Sequence, residues 1–436
     1  MEGASWLAAL VFLPAVGSPL LAHRSFGRFP FWSRVVLSGA AGAALISFSM
    51  TLLALTDRAW GVALVATLAA VLASGLRVLL RGEPATSPPE PARPDRTERI
   101  AGAIACIAVV AALLATLGGA ATSVDLVFFW GAKAQQFAAA RGIDLEFLRD
   151  PAHQYMHSYY PPLVSNVFAF ATMAAGRFVW TAAALTFPLT LAALAASLPG
   201  VLRGLTSARA AAATSALIVA TLACIGSQAD IAGNADMPLY LFETLALALL
   251  LRPDAAGGPG DLLAGILFAA AATAKVEGLP FAVAAAALAL WLRAGTPAGR
   301  AKAAARLLGP TAVALAAWFA FGLSRKLFSA YSEYGRFFDV HPDHATGVVA
   351  EIVKSIAATG RGLAYLIPLL CLVGSGRRGR TAAIPLGTAA ALAGFLVFTY
   401  LHPAGDPAQW IGWSAPRVFA PLPVLFALAA ACGRDA

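Results

Sequence analysis

Apolar runs of about twenty residues, almost free of charge, recur along the whole chain, and few solvents suit such a sequence. They fall near 6–22, 35–55, 59–80, 101–121, 178–199, 211–226, 237–252, 262–275, 279–293, 307–323, 356–374, 381–401 and 418–432. A helix rises about 1.5 Å per residue, so a run of that length matches a hydrocarbon core about 30 Å thick. Backbone polar groups find no partners in lipid, so the runs must be helices. A β-barrel would show short alternating segments, which the Ala- and Leu-rich blocks do not. Only 12% of the 436 residues are charged, against about 25% in soluble domains. The expected fold is an all-α, polytopic transmembrane bundle of about 13 helices.

The net charge of +9 is unevenly placed. Arg24, Arg28 and Arg34 share one connection, and Arg77, Arg81, Arg93, Arg96 and Arg99 lie in or beside a Pro-rich stretch at 82–98 that reads as a disordered linker. Arg203 and Arg209, then Arg293, Arg300, Lys302 and Arg306, then Arg377, Arg378 and Arg380 mark three more. All fall on one side of the alternating topology. This is a positive-inside pattern and not a nucleic-acid stripe, so no nucleic-acid partner is expected. It puts the N-terminus outside, the C-terminus inside and the 82–98 stretch in the cytoplasm. The first run lacks a basic leader and a small-residue cleavage site, and is expected to be a retained helix. The linker divides the sequence into a three-helix extension, 1–98, and a larger module, 99–436.

The opposite side receives 122–177, 227–236, 324–346 and 402–417, with Asp125, Asp230, Asp236, Asp339, Asp343, Asp406 and every histidine but His23. Within 122–177, the run 161–175 begins with two prolines and is expected to lie at the outer surface. Cys106, Cys224, Cys371 and Cys432 have neither metal-ligand spacing nor a disulfide pattern. His341-Pro342-Asp343-His344 matches no zinc signature, and no nucleotide-binding motif is present.

Four places could carry chemistry. Asp125 stands at a helix exit, before the aromatic stretch Leu126–Trp130 and Lys133. It reads either as a cap for the next helix or as a partly desolvated general base. Asp236, in Gly233-Asn234-Ala235-Asp236-Met237-Pro238, is either an N-cap or a second acid of the same cavity. Lys275 and Glu277 lie around a turn marked by Gly278 and Pro280, and could pair across it. Arg417, after Trp410 and Trp413, sits at an expected helix start where the dipole disfavours a cation. It calls for an anion, either a phosphate or Asp406. Arg325, Lys326 and Arg336 share the outer side with less specific context.

In this order the motifs resemble the GT-C class of polytopic glycosyltransferases, in the bacterial branch related to protein mannosyltransferases and lipid A aminoarabinose transferases. Asp125 with Phe129-Trp130-Gly131-Ala132-Lys133-Ala134 is similar to the first outer loop of that class. Tyr159-Tyr160-Pro161-Pro162-Leu163, followed by Gly176-Arg177, resembles its proline motif. Gly233–Leu239 resembles its second acidic loop, and Ala274–Leu279 and Trp413–Arg417 complete the series. The likeness runs from about residue 100 to 432. Val124 stands where the family often has a second acid, and residues 1–98 have no counterpart.

The resemblance implies transfer of a sugar, with inversion, from a polyprenyl-phosphate-linked donor to a glycan, lipid or protein acceptor outside the cytoplasmic membrane of a bacterium. Asp125 and Asp236 would be catalytic, and Lys133, Tyr160, Lys275, Glu277, Trp413 and Arg417 would bind substrate. A divalent metal ion is the candidate cofactor. A transporter or flippase of lipid-linked saccharides is the alternative of another class. It should show repeats and polar residues at mid-membrane, where this chain clusters them at one face. An O-antigen ligase or polymerase is a third reading.

Overall fold

In the computed structural model the chain is an all-helical bundle. It describes residues 2–80, 93–119, 123–156, 160–226, 232–253, 258–293, 296–327, 340–358, 361–376, 379–402 and 407–432. There is no β-strand among the described residues. In chain order the helices are α1 (Glu2–Val11), α2 (Leu13–Leu21), α3 (Phe31–Leu55), α4 (Val62–Leu80), α5 (Arg96–Gly119), α6 (Gly131–Ala140) and α7 (Leu145–Arg149). Then follow α8 (Leu163–Ala175), α9 (Trp180–Ala184), α10 (Thr186–Leu202), α11 (Ala208–Ile225), α12 (Asp236–Leu250), α13 (Pro259–Ala274) and α14 (Gly278–Leu292). The last are α15 (Pro297–Ser324), α16 (Ala345–Ala358), α17 (Gly362–Gly374), α18 (Ala383–Tyr400), α19 (Pro407–Val418) and α20 (Pro421–Ala431).

Among the described residues, nine helices are long and apolar enough to cross a membrane, or ten if α16 and α17 form one bent span. Three shorter apolar helices, 163–175, 259–274 and 278–292, accompany them. The outer helices carry apolar side chains on open faces, among them Val71 and Val78 of α4, Ile107 and Leu114 of α5, and Leu370 and Val373 of α17. Such faces are stable against lipid and costly against water. The chain is a multi-pass helical membrane protein.

α12 is the innermost helix. Nearly all of it is buried, and it packs against α3, α10, α13, α14 and α20. Its first residue is Asp236, so the most enclosed helix of the bundle opens with a charge. α13 lies between α12 and α15, and α14 packs on α18, which in turn meets α20.

The N-terminal helices are joined to this core by buried polar contacts. Asn166 of α8 donates to the Ser47 carbonyl and hydroxyl of α3, each at 3.2 Å. Ser33 Oγ donates to the Ser197 carbonyl of α10 at 2.8 Å. The run 161–175, expected at the outer surface, forms α8 from Leu163. As α8, its residues 163–172 are all buried, packed against α1, α3 and α6, and do not lie open on a surface. Inside the bundle the Asn166 amide nitrogen is bonded to α3, while its Oδ1 and the Ser165 hydroxyl have no hydrogen-bond partner among the described residues.

Residues 82–92 of the Pro-rich stretch lie outside the described residues. Its end is ordered as a reciprocal cap, in which Glu98 N donates to Asp95 Oδ1 at 2.8 Å and Asp95 N to Glu98 Oε2 at 3.0 Å. That backbone bond from Glu98, and then Arg209, hold the Asp95 carboxyl below its ordinary range. Arg203 pairs with Glu98 at 2.6 Å. Two of the arginines that mark this side of the topology thus also clamp α10 and α11 to the start of α5.

Candidate functional site

Two loops are tied together before any charge is considered. Ser123 is fully buried, and its hydroxyl donates to the Ala232 carbonyl at 2.7 Å. The same oxygen accepts from Leu126 N at 3.4 Å, so Ser123 serves the local turn that Asp125 was a candidate to cap. Asp125 makes no capping bond. After it the backbone widens into a π-helical turn, Leu126–Trp130, of the kind that often marks functional sites. On the second loop Gly233 has φ +73°, and a Cβ there would stand 3.0 Å from the Ala183 carbonyl oxygen. Asn234 follows, buried, and its Oδ1 accepts from Asp236 N at 3.0 Å. Asn234 therefore serves the start of α12, which leaves the Asp236 carboxylate for other partners.

Those partners are cations from two distant segments. Lys275 Nζ lies 2.7 Å from Asp236 Oδ1, and Arg417 Nη1 lies 2.9 Å from Asp236 Oδ2. Arg417 Nη1 also reaches Asp125 Oδ2 at 2.6 Å, and Asn234 Nδ2 approaches that oxygen at 3.4 Å. Lys275 Nζ meets Glu277 Oε1 at 3.1 Å across the turn. The result is an unbroken chain: Asp125, Arg417, Asp236, Lys275, Glu277. Asp236 is 1% exposed and Lys275 6%. Charges this deep persist only when paired.

The Lys275 turn depends on Gly278. Its amide donates to the Lys275 carbonyl at 3.1 Å, and a Cβ would stand 2.2 Å from the Ala271 carbonyl oxygen. Any side chain there would drive α14 away from α13. Arg417 is positioned from its backbone, since Tyr240 OH donates to the Arg417 carbonyl at 2.6 Å and Tyr365 OH to that of Pro416 at 2.7 Å. The expectation of a helix start at Arg417 is corrected. The residue closes the last turn of α19, where the helix dipole favours a cation. Its anionic partners are Asp125 and Asp236; Asp406 lies outside the described residues.

Beside this chain is a cavity of about 330 Å³, the size of a small-molecule site. Asp125, Lys275, Glu277 and Arg417 line it, with Phe128, Phe129, Trp130, Tyr160, Tyr400 and Trp410 as aromatic walls. Asp236 stands behind the wall. Asp125 keeps 30% of its side chain exposed, and Oδ1 accepts no hydrogen bond among the described residues. Arg417 uses one nitrogen for both aspartates, and its Nε and Nη2 donate to none of the described residues.

Of the residues expected to bind substrate, Tyr160, Lys275, Glu277 and Arg417 line the cavity and two do not. Lys133 is buried, with its ammonium 4.0 Å from the Phe129 ring centroid and 5.6 Å from that of Trp130, behind the aromatic wall. Burial pushes its ammonium pKa well down. Trp413 is 71% exposed and points away, and Trp410, one turn earlier, is the lining residue. Tyr159, Asp230, Arg336 and Asp339 lie outside the described residues. Arg325 pairs with Asp57 at 2.5 Å. Among the described residues no group of three or more His, Cys, Asp or Glu side chains is arranged to hold a metal ion. The two aspartates share a guanidinium.

Sequence reasoning passed over Glu243. It lies two turns beyond Asp236, 2% exposed, and neither carboxylate oxygen has a hydrogen-bond partner among the described residues. An acid seven residues after Asp236 in an apolar helix was a legible signal, because that spacing returns to the same face. Compared with family models, curated proteins and solved structures, the chain matches none.

The paired and the unpartnered acid of α12 should respond oppositely when their charges are altered. Lys275→Met removes a cation from paired carboxylates and should cost about 3–5 kcal/mol, read as a lowered midpoint of thermal unfolding in detergent. Glu243→Gln removes an unpartnered carboxylate and should leave that midpoint unchanged or raise it. A Lys275→Met protein as stable as wild type would contradict the pairing argument.

Proposed function

We propose that the protein is a glycosyltransferase, moving a sugar from a polyprenyl-phosphate-linked donor to a glycan, lipid or protein acceptor at the outer face of a bacterial cytoplasmic membrane. The observation that carries this reading is Asp125. It is a carboxylate with one oxygen fixed by Arg417 and the other open to a cavity that also holds spare guanidinium donors. A general base and an anion binder side by side are what inverting displacement at a phosphate-activated sugar requires. The order of motifs along the chain supports the same reading.

In the proposed reaction Asp125 Oδ1 takes the proton of an acceptor hydroxyl. The freed oxygen pair attacks the anomeric carbon, and the bond from that carbon to the phosphate oxygen breaks. The phosphate leaves with the electron pair and is met by the unused N–H groups of Arg417 and by Lys275. Asp236 holds both cations in place from behind and does not meet the substrate. The aromatic walls offer faces on which a sugar ring can pack. A second, apolar cavity of about 390 Å³ between α3, α4, α13 and α15 reaches Pro162 and Thr273, near Tyr160 and Lys275. Its lining suits an isoprenoid or acyl chain. The feature that favours the transporter alternative is Glu243, an unpartnered acid in an apolar helix.

Asp125→Asn keeps size and hydrogen bonding but cannot accept the proton. In membranes that contain the endogenous lipid-linked donors, the variant should transfer about 10²- to 10⁴-fold more slowly than wild type, with unchanged melting and donor binding. A folded variant with near-wild-type transfer would sink the mechanism.

The sidedness rests on the arginines. In intact cells a membrane-impermeant thiol reagent should modify a cysteine placed at position 150 and spare one placed at position 90. The opposite pattern would put the cavity on the cytoplasmic face and remove this donor class.

A further inference from the structure

The chain of charges holds three carboxylates, Asp125, Asp236 and Glu277, for two cations, Lys275 and Arg417. An anion arriving at this end of the bundle meets a surplus of negative charge, and any further cation nearby gains importance. Arg361 is such a cation. It is the N-cap residue of α17 and is only 6% exposed. Its Nη2 is buried without a hydrogen-bond partner, and no carboxylate pairs with it among the described residues.

Two costs fall on this guanidinium with the same sign. Desolvating a charge without a partner is unfavourable. The start of a helix is also the wrong end for a cation, because the macrodipole is positive there. Arg417, in the last turn of α19 with two carboxylates, suffers neither. An anion beside Arg361 would relieve both costs.

The position is close to the cavity. Tyr365, one turn along α17 from Arg361, donates its hydroxyl to the carbonyl of Pro416, the neighbour of Arg417. Ser414, on the same helix as Pro416, pairs with Tyr400 at 2.7 Å, and both line the cavity.

We propose that Arg361 and the first turn of α17 form a binding site for a phosphate group, such as a lipid headgroup or free phosphate carries. The planar guanidinium fork matches phosphate oxygens, and a helix N-terminus presents N–H groups and positive potential to the same ligand. The inference goes beyond sugar transfer, because it concerns binding and holds for any phosphate-bearing ligand at this end of the bundle.

The test uses the full-length protein in phosphate-free detergent, with farnesyl phosphate, farnesol and inorganic phosphate as probes in equilibrium binding. Farnesyl phosphate should bind saturably and farnesol should not. Arg361→Gln should weaken farnesyl phosphate at least about 10-fold, the loss of one charged hydrogen bond. Arg361→Lys should weaken it less, because the charge remains and the fork is lost. Competition by inorganic phosphate identifies the site as one for phosphate itself, and its failure to compete identifies a lipid headgroup site.

The proposal is overturned if wild type shows no saturable binding of either phosphate probe. It is equally overturned if a folded Arg361→Gln protein binds within twofold of wild type. Should Arg361→Gln not fold, unchanged affinity in Arg361→Lys has the same force. A loss seen in Arg417→Gln and absent from both Arg361 variants would move the phosphate into the Asp125 cavity and end the proposal. Loss of binding in the Arg361 variants together with failure of the Asp125→Asn transfer test would leave this site standing without the glycosyltransferase.

Discussion

A buried carboxylate stays ionised only where cations surround it, and Asp236 is the carboxylate on which this end of the bundle depends. It opens the most enclosed helix, and its two oxygens take one cation each, from the turn between α13 and α14 and from the end of α19. Three segments far apart in sequence are thereby fixed to one point. Asp125 is then added through the second contact of Arg417 and through Asn234. The pairing is what makes burial of these charges tolerable, and it also leaves the outermost acid partly open. Depth separates the two acids: the enclosed one holds cations, and the outer one keeps an oxygen open to the cavity.

Much of this was legible in the sequence, and the boundary is physical. Each apolar run has a helical counterpart, because hydropathy over about twenty residues has few other solutions. The polar segments were harder. Residues 407–418 read as a loop because Trp, Ser, Pro and Arg interrupt the apolar pattern, yet they form α19. Missing that helix reversed the expected dipole at Arg417 and hid the phase that turns Trp410 inward and Trp413 outward. Lys133 was taken as a cavity residue, but its long stem lies inside an aromatic wall, a placement that depends on the π-helical turn before it. The pairing of Lys275 with Glu277 was within reach, since the turn residues were visible. The partnership of Asp236 with both Lys275 and Arg417 was not, because it joins residues that only tertiary packing brings together.

The same accounting separates the cations by what they can still bind. Lys275 is enclosed by acids. Arg417 is anchored by one nitrogen and has donors left over. Arg361 has an unfavourable helix end and a buried nitrogen with no partner among the described residues. Glu243 remains the residue that the proposed chemistry does not use, and its neighbourhood joins the acid chain to the depth of the bundle.

The central claim is that the Asp125 cavity transfers a sugar outside the membrane. The most direct measurement is mass spectrometry of surface glycans, glycolipids and glycoproteins from cells with the wild-type gene, without it, and with the Asp125→Asn variant. The account predicts one glycoconjugate whose mass falls by a sugar residue in both altered strains, while the lipid-linked donor accumulates. Identical profiles in all three strains would contradict it.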